Sequence, residues 1–252
     1  AVASREHANR GGNLMAKQIH LILFMICIAL AEGCGGGNQD NPSSPASNTN
    51  VTYDVNAKGI PKFVGVDYIK LGKILRISKF RSGIGHDYSD GFESCRSMKH
   101  YFEPKANADW STVKVYSPVE GTVSGFTQES AGTQVSIQSK EYPAFYLNIF
   151  HINLASPLKV GDPVGAGQQL GTHIGSQTMS DIAVGVNTPS GRKLLSWFDV
   201  ISDPVFQQCQ PRGLVSRTDA IISKQARDAD PLSCNGEAFT NAGNLGNWVN
   251  LN

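Results

Sequence analysis

Val115-Tyr116-Ser117-Pro118-Val119-Glu120-Gly121-Thr122-Val123 and Leu158-Lys159-Val160-Gly161-Asp162-Pro163-Val164-Gly165-Ala166-Gly167-Gln168-Gln169-Leu170-Gly171 decide the fold of this chain. Each couples alternating apolar residues to a tight-turn signal. Proline presets φ for a turn, glycine supplies positive φ, and aspartate bonds its own backbone. Alternation with period two puts every second side chain on one buried face. Further strand-like runs lie at 113–116, 121–126, 134–138, 145–152 and 182–186. Short strands at close spacing predict a mostly β domain, a small barrel or sandwich.

Working outward, residues 51–55 and 62–66 alternate and predict two strands. Residues 81–109 are polar and glycine-bearing, a loop-rich segment around one strand. Residues 198–208 and 219–227 predict short C-terminal helices, with Ser216 or Thr218 as cap and Pro231 as stop. Residues 235–252 read as irregular. The domain plan is an upstream extension over 1–14, a leader over 15–34, a tether over 35–50, strands and a polar segment over 51–110, a β core over 111–187 and an extension over 188–252.

The leader is an apolar run over 21–31 (LILFMICIALA) behind Lys17. It is shorter than the roughly 20 residues that span a bilayer, and its charged, apolar, small-residue order is that of a secretory signal. Met15 is the natural start. The tether, GGGNQDNPSSPASNTN over 35–50, has nothing to pack. The formal net charge is +1 and no Lys/Arg block occurs, so nucleic acid is not an expected partner. Charged residues make up 17%, below the roughly 25% of ordinary soluble domains, and with 26 glycines this favours turns between short strands. In an oxidising compartment Cys209 and Cys234 would form a disulfide worth on the order of 3 kcal/mol; otherwise both are half-buried thiols. Cys95 and His100 read as packing residues.

Leu30-Ala31-Glu32-Gly33-Cys34 resembles the lipobox of bacterial lipoproteins, with Ala31 where that family usually has leucine. The resemblance implies lipidation at Cys34 and a membrane anchor in the cell envelope. Ordinary cleavage after Ala29-Leu30-Ala31 is the alternative.

The two turn-bearing segments together resemble the paired half-motifs of the duplicated hybrid motif barrel, the core of lysostaphin-type (LytM-like) zinc endopeptidases and of biotinyl and lipoyl carriers. The carriers' Met-Lys turn is missing, because Lys140 and Lys159 stand in other contexts. Ser82-Gly83-Ile84-Gly85-His86-Asp87-Tyr88-Ser89-Asp90 resembles the peptidases' first metal motif, a His followed four residues on by an Asp. Phe150-His151-Ile152 resembles their strand-end histidine at the reacting centre. The resemblance covers roughly residues 82–186. It implies zinc held by His86 and Asp90, with His151 catalytic, acting on peptidoglycan or its peptides.

The family closes its core with His-x-His. Here Ser180-Asp181-Ile182-Ala183 stands in that place, with Asp181 for the catalytic His and Ala183 for a ligand. Alanine binds no metal, and catalytic zinc normally takes three protein ligands and water. Three readings stay open: Asp181 completes a His86-Asp90-Asp181 set, His173 or His100 swings in, or catalysis is lost. In the last case the domain binds peptidoglycan or activates a cell-wall amidase. If the site is active, zinc lowers the pKa of a bound water and polarises a peptide carbonyl, and His151 steadies the intermediate. Arg96 and Lys99 read as solvated, close enough to the motif to meet an acidic or glycan substrate.

Overall fold

The alternation that predicts the strands is the alternation the fold buries, in a computed structural model that describes residues 51–176 and 178–252. Cys34, the leader and the tether lie outside the described residues. Among the described residues no helix is long and apolar enough to cross a membrane. The strands, in chain order, are β1 (Ile74–Ser78), β2 (His100–Pro104), β3 (Lys114–Tyr116), β4 (Gly121–Glu129), β5 (Gly132–Ser139), β6 (Phe145–Leu154), β7 (Pro163–Val164), β8 (Gln169–His173), β9 (Ser180–Thr188), β10 (Gly191–Leu195), β11 (Cys234–Asn235), β12 (Ala238–Phe239) and β13 (Trp248–Asn250). The short α-helices are α1 (Val55–Lys58), α2 (Trp197–Val200), α3 (Asp203–Gln207) and α4 (Lys224–Ala229). The fold is mostly β, as expected.

The main sheet runs β13-β1-β2-β9-β6-β5-β4-β7, with β10 on β9 and with β8 joining β6 to β3. Its pairings are antiparallel. The two segments that decide the fold meet each other. Ser117 N–H donates to the Gln168 carbonyl at 2.8 Å, Gly167 N–H donates to the Ser117 carbonyl at 2.7 Å, and Val123 N–H donates to the Asp162 carbonyl at 2.9 Å. Gly121 lies opposite Val164. Asp162 holds its own turn through the Lys159 N–H at 2.9 Å, and Gly161 and Gly167 have φ of 97° and 77°. A side chain at either glycine would be strained.

Register on β6 and β9 separates core from site. Phe145, Leu147 and Ile149 pair with Val186, Val184 and Ile182, and all six are fully buried in the main core. The alternate residues, Tyr146 and Asn148, pair with Gly185 and Ala183 on the opposite face. A Cβ at Gly185 would collide with the Tyr146 ring, so glycine is what lets that ring lie across the sheet.

Three expectations are corrected. Residues 51–55 form no strand, because the Asp54 side chain takes the N–H groups of Asn56 and Ala57 at 3.0 and 3.1 Å and starts α1. Residues 62–66 make a single bridge, Val64 to Ile201, and the apolar alternation there puts Phe63 against Phe145 and Tyr142 instead. Residues 235–252 hold β13, which pairs with β1 and sets Trp248 under Arg76 at 4.2 Å. The C-terminal helices form in shorter pieces. Ser216 makes a capping box on a 3-10 turn, Arg217–Ala220, and Ser223 caps α4 through the Ala226 N–H at 3.1 Å. α4 ends just before Pro231, as expected.

Candidate functional site

Residues 79–98 lie across the face that carries Asn148 and Ala183, and their polar side chains pin them there. Asp87 accepts the N–H groups of Cys95 and Arg96 at 3.2 and 3.1 Å. Glu93 sits between the guanidinium groups of Arg81 and Arg96, each at 2.7 Å. Burial pushes the Glu93 carboxyl up, but the two arginines outweigh it and hold it low. Cys95 forms a disulfide with Cys234, with a Cα separation of 5.7 Å. This corrects the expected Cys209–Cys234 pair. Cys209 is a free thiol buried in the main core, pushed up to about 12 by burial first and by the Asp67 charge second. Cys234 opens the β11–β12 hairpin. Sequence nearness between 209 and 234 says nothing of their separation in space.

Of the residues expected to bind metal, Asp181 is at the centre of the site and the other two are not. Asp90 Oδ1 accepts from Phe92 N–H and Glu93 N–H at 2.8 and 3.1 Å, and its Oδ2 accepts from Leu194 N–H at 2.8 Å. It therefore closes an Asx turn and ties the loop to β10. His86 donates from Nδ1 to the Asp87 carbonyl at 3.0 Å, with Glu237 3.7 Å away, and its side chain is 41% exposed. Among the described residues no three His, Cys, Asp or Glu side chains gather to hold a metal. The set His86, Asp90 and Asp181 does not fit zinc, which needs at least three donors around one point.

What surrounds Asp181 is a cation of the protein's own. Asp181 is fully buried, and its Oδ2 lies 2.5 Å from Lys99 Nζ, a side chain only 3% exposed. Its Oδ1 lies 3.0 Å from His151 Nε2. Both contacts are at ion-pair distance but off hydrogen-bond angles, and no other donor among the described residues reaches either oxygen. Three rings enclose the ammonium: Phe150 at 4.2 Å, and Tyr88 and Tyr101 each at 4.9 Å. The reading of Lys99 and Arg96 as solvated is corrected, since both are buried. Burial alone would raise the Asp181 carboxyl, but Lys99 and His151 outweigh it and the net direction is down. Buried charge persists only when paired in this way.

His151 is held by both ring nitrogens. Its Nδ1 donates to the Ala131 carbonyl at 2.9 Å while Nε2 faces Asp181. The nearby carboxylate favours the protonated form of this ring. Burial pushes this imidazole down, but Asp181, followed by the Ala131 carbonyl, reverses the direction to up. His151 also has φ of 61° at an irregularity of β5–β6 register, a conformation that costs on the order of 1 kcal/mol and persists only where its surroundings fix it.

Of the substitute ligands, His100 is engaged at both ring nitrogens, whereas His173 is engaged at Nδ1 and keeps a buried Nε2 without a hydrogen-bond partner among the described residues. His100, fully buried, lies between the Ser78 carbonyl at 2.8 Å and Ser196 Oγ at 2.9 Å, and burial lowers it to about 4. His173 accepts the Gly175 N–H at 3.1 Å and packs on Trp110 at 4.6 Å, and burial lowers it to about 4. Ala183 is fully buried opposite Asn148, whose Nδ2 donates to the Tyr88 hydroxyl at 3.2 Å. Sequence reasoning found Asp181 and His151, read Lys99 as solvated beside the motif, and missed Asn148, Tyr88 and Tyr101. The available signal was Met98-Lys99-His100-Tyr101-Phe102, a lysine inside an otherwise apolar and aromatic run.

No family model matches the chain, and no curated protein matches it. It is similar to a solved lytM structure from Ruminococcus gnavus at 15% identity, over 39% of this chain and 42% of that one, with a TM-score of 0.31. It is similar to pseudoalterin, an M23 metalloprotease from the deep sea, at 16% identity, over 54% and 75%, with a TM-score of 0.33. It is similar to lysostaphin at 18% identity, over 46% and 52%, with a TM-score of 0.29. The chain thus spans under half of the lytM structure and about half of lysostaphin. These structural neighbours are peptidases of the M23 and LytM type, and at such TM-scores the likeness carries no argument for this chain beyond its residues.

Proposed function

We propose that this chain carries a lysostaphin-like domain that binds peptidoglycan peptides at the cell envelope without cleaving them, anchored by a lipid at Cys34. The Lys99–Asp181 ion pair, 2.5 Å long and buried on both sides, carries the reading. In it the Lys99 ammonium takes the charge-balancing place that the resembled family gives to metal. A further cation about 4 Å from the ammonium would be repelled by roughly 4 kcal/mol per unit charge at an effective dielectric near 20. Ala183 supplies no ligand, and the Asp181 carboxylate 3.0 Å from His151 Nε2 raises that ring's affinity for its own proton and makes it a poor electrostatic partner for a metal-bound water. The order of the sequence motifs supports the peptide ligand, as does a tether that would let an anchored domain reach the wall.

The test is co-sedimentation of the purified full chain with isolated cell wall, with added zinc and with EDTA. Binding is expected to be equal in the two conditions, with wall turbidity unchanged. A zinc-dependent fall in turbidity would return the domain to the peptidases. Absence of wall binding in both conditions would remove peptidoglycan as the ligand.

A further inference from the structure

Beside the buried cluster lies a hollow of about 330 Å³, lined by Tyr88, Ser89, Asp90, Gly91, Arg192 and Leu194. Arg192 projects from β10 and is fixed at its inner end. Its guanidinium lies 4.5 Å over the Tyr146 ring, and its Nε donates to the Tyr146 hydroxyl. That leaves the two terminal amino groups of the fork, and no carboxylate among the described residues lies within ion-pair distance of them. Asp90 lines the same hollow, but three backbone N–H groups already occupy its oxygens. Next along the strand, Lys193 lies 4.9 Å over the ring of Phe92, an aromatic residue 43% exposed. Lys193 too lacks an acidic partner among the described residues.

A larger hollow of about 500 Å³ lies by the Pro118 turn, with Phe63, Glu120, Lys140 and Glu141 in its lining. Its lysine is already paired with Glu120 at 2.5 Å, so it offers no cation to an anionic ligand. The Arg192 hollow does. A planar fork whose stacking and Nε bond fix its plane matches a carboxylate through two parallel N–H donors. Tyr88 and Leu194 line the same hollow and give a short aliphatic side chain an apolar wall next to that carboxylate.

We infer that the Arg192 hollow receives the terminal carboxylate of a peptide, with Arg192 as its clamp. This rests on the reading of the domain as a peptide-binding module and names the group of the peptide it holds. The probes are acetyl-alanyl-alanine and its C-terminal amide, titrated into the purified full chain by calorimetry. The free acid is expected to bind about tenfold more tightly than the amide, as a charge-assisted bidentate contact allows. Arg192→Gln is expected to abolish that difference while leaving the unfolding midpoint unchanged, and Arg192→Lys is expected not to restore it, because a point charge lacks the fork. Equal affinity for acid and amide would overturn the inference, as would an acid preference that survives Arg192→Gln. Displacement of the acid by inorganic phosphate at equal concentration would also overturn it, making this a general anion site. If the free chain binds the acid but not cell wall, the functional reading fails and the carboxylate site stands. If wall binding is intact and the acid shows no preference, the carboxylate site alone fails.

Discussion

Lys99→Met is expected to lower the unfolding free energy by about 3–5 kcal/mol, the usual cost of stranding one partner of a buried ion pair. Methionine fills similar volume and keeps contact with Phe150, Tyr88 and Tyr101, so lost packing is a small part of the effect. The cation–aromatic contacts contribute about 0.5–2 kcal/mol. The larger part is Asp181, fully buried and left with His151 alone. Asp181→Asn is expected to cost a similar amount, because it strands the ammonium. The double variant Lys99→Met/Asp181→Asn is expected to recover part of the loss, since neither charge is then left stranded. Urea unfolding of the four proteins measures the coupling directly. A single Lys99→Met variant within about 0.5 kcal/mol of wild type, the range of an ordinary surface substitution, would show that the ammonium does not hold the carboxylate.

Loss of the Cys95–Cys234 disulfide is the second large expected effect. The link joins residues 139 apart in sequence, and closing a loop of that length stabilises by about 5 kcal/mol in the chain-entropy picture. Cys95 is the left-handed residue, φ 52°, that leads into the buried Arg96-Ser97-Met98-Lys99 run. Reduction therefore acts on the segment that delivers Lys99 to Asp181. Thermal unfolding with and without reductant is expected to separate by well over 5 °C, since about 1 kcal/mol moves a domain of this size by roughly 2–4 °C. Peptide mapping without reduction should recover the 95–234 link. A 209–234 link, or coincident melting curves, would contradict the structure described here.

The sequence carried much of the sheet and part of the site, for identifiable reasons. The two turn-bearing segments were legible because proline, glycine and Asp-Pro chemistry is local, and the structure joins them through Ser117, Gly167 and Gln168. β6 and β9 were legible because Phe145, Leu147 and Ile149 and their partners Val186, Val184 and Ile182 place apolar residues at every second position toward one core. β13 was not, because an edge strand is made by its partner and its own Asn-rich sequence argues against it. Asp181 and Ala183 stood out by register. Lys99 did not, because lysine is almost always solvated, and only the three-dimensional meeting of residues 88, 99, 101, 150 and 181 makes it a buried cation. The disulfide was misread for the same kind of reason: pairing follows distance in space, which the spacing of cysteines does not encode.

The Lys99 ammonium, 2.5 Å from Asp181, balances that buried carboxylate without a metal. This is tested most directly by the zinc content of the purified full chain after equilibration with excess zinc and removal of the unbound metal. The expected result is no stoichiometric zinc in the wild type and none lost on His86→Ala. About one zinc per chain, abolished by His86→Ala or Asp181→Asn, would contradict this, because those side chains would then act as metal ligands where the structure gives Asp181 to Lys99.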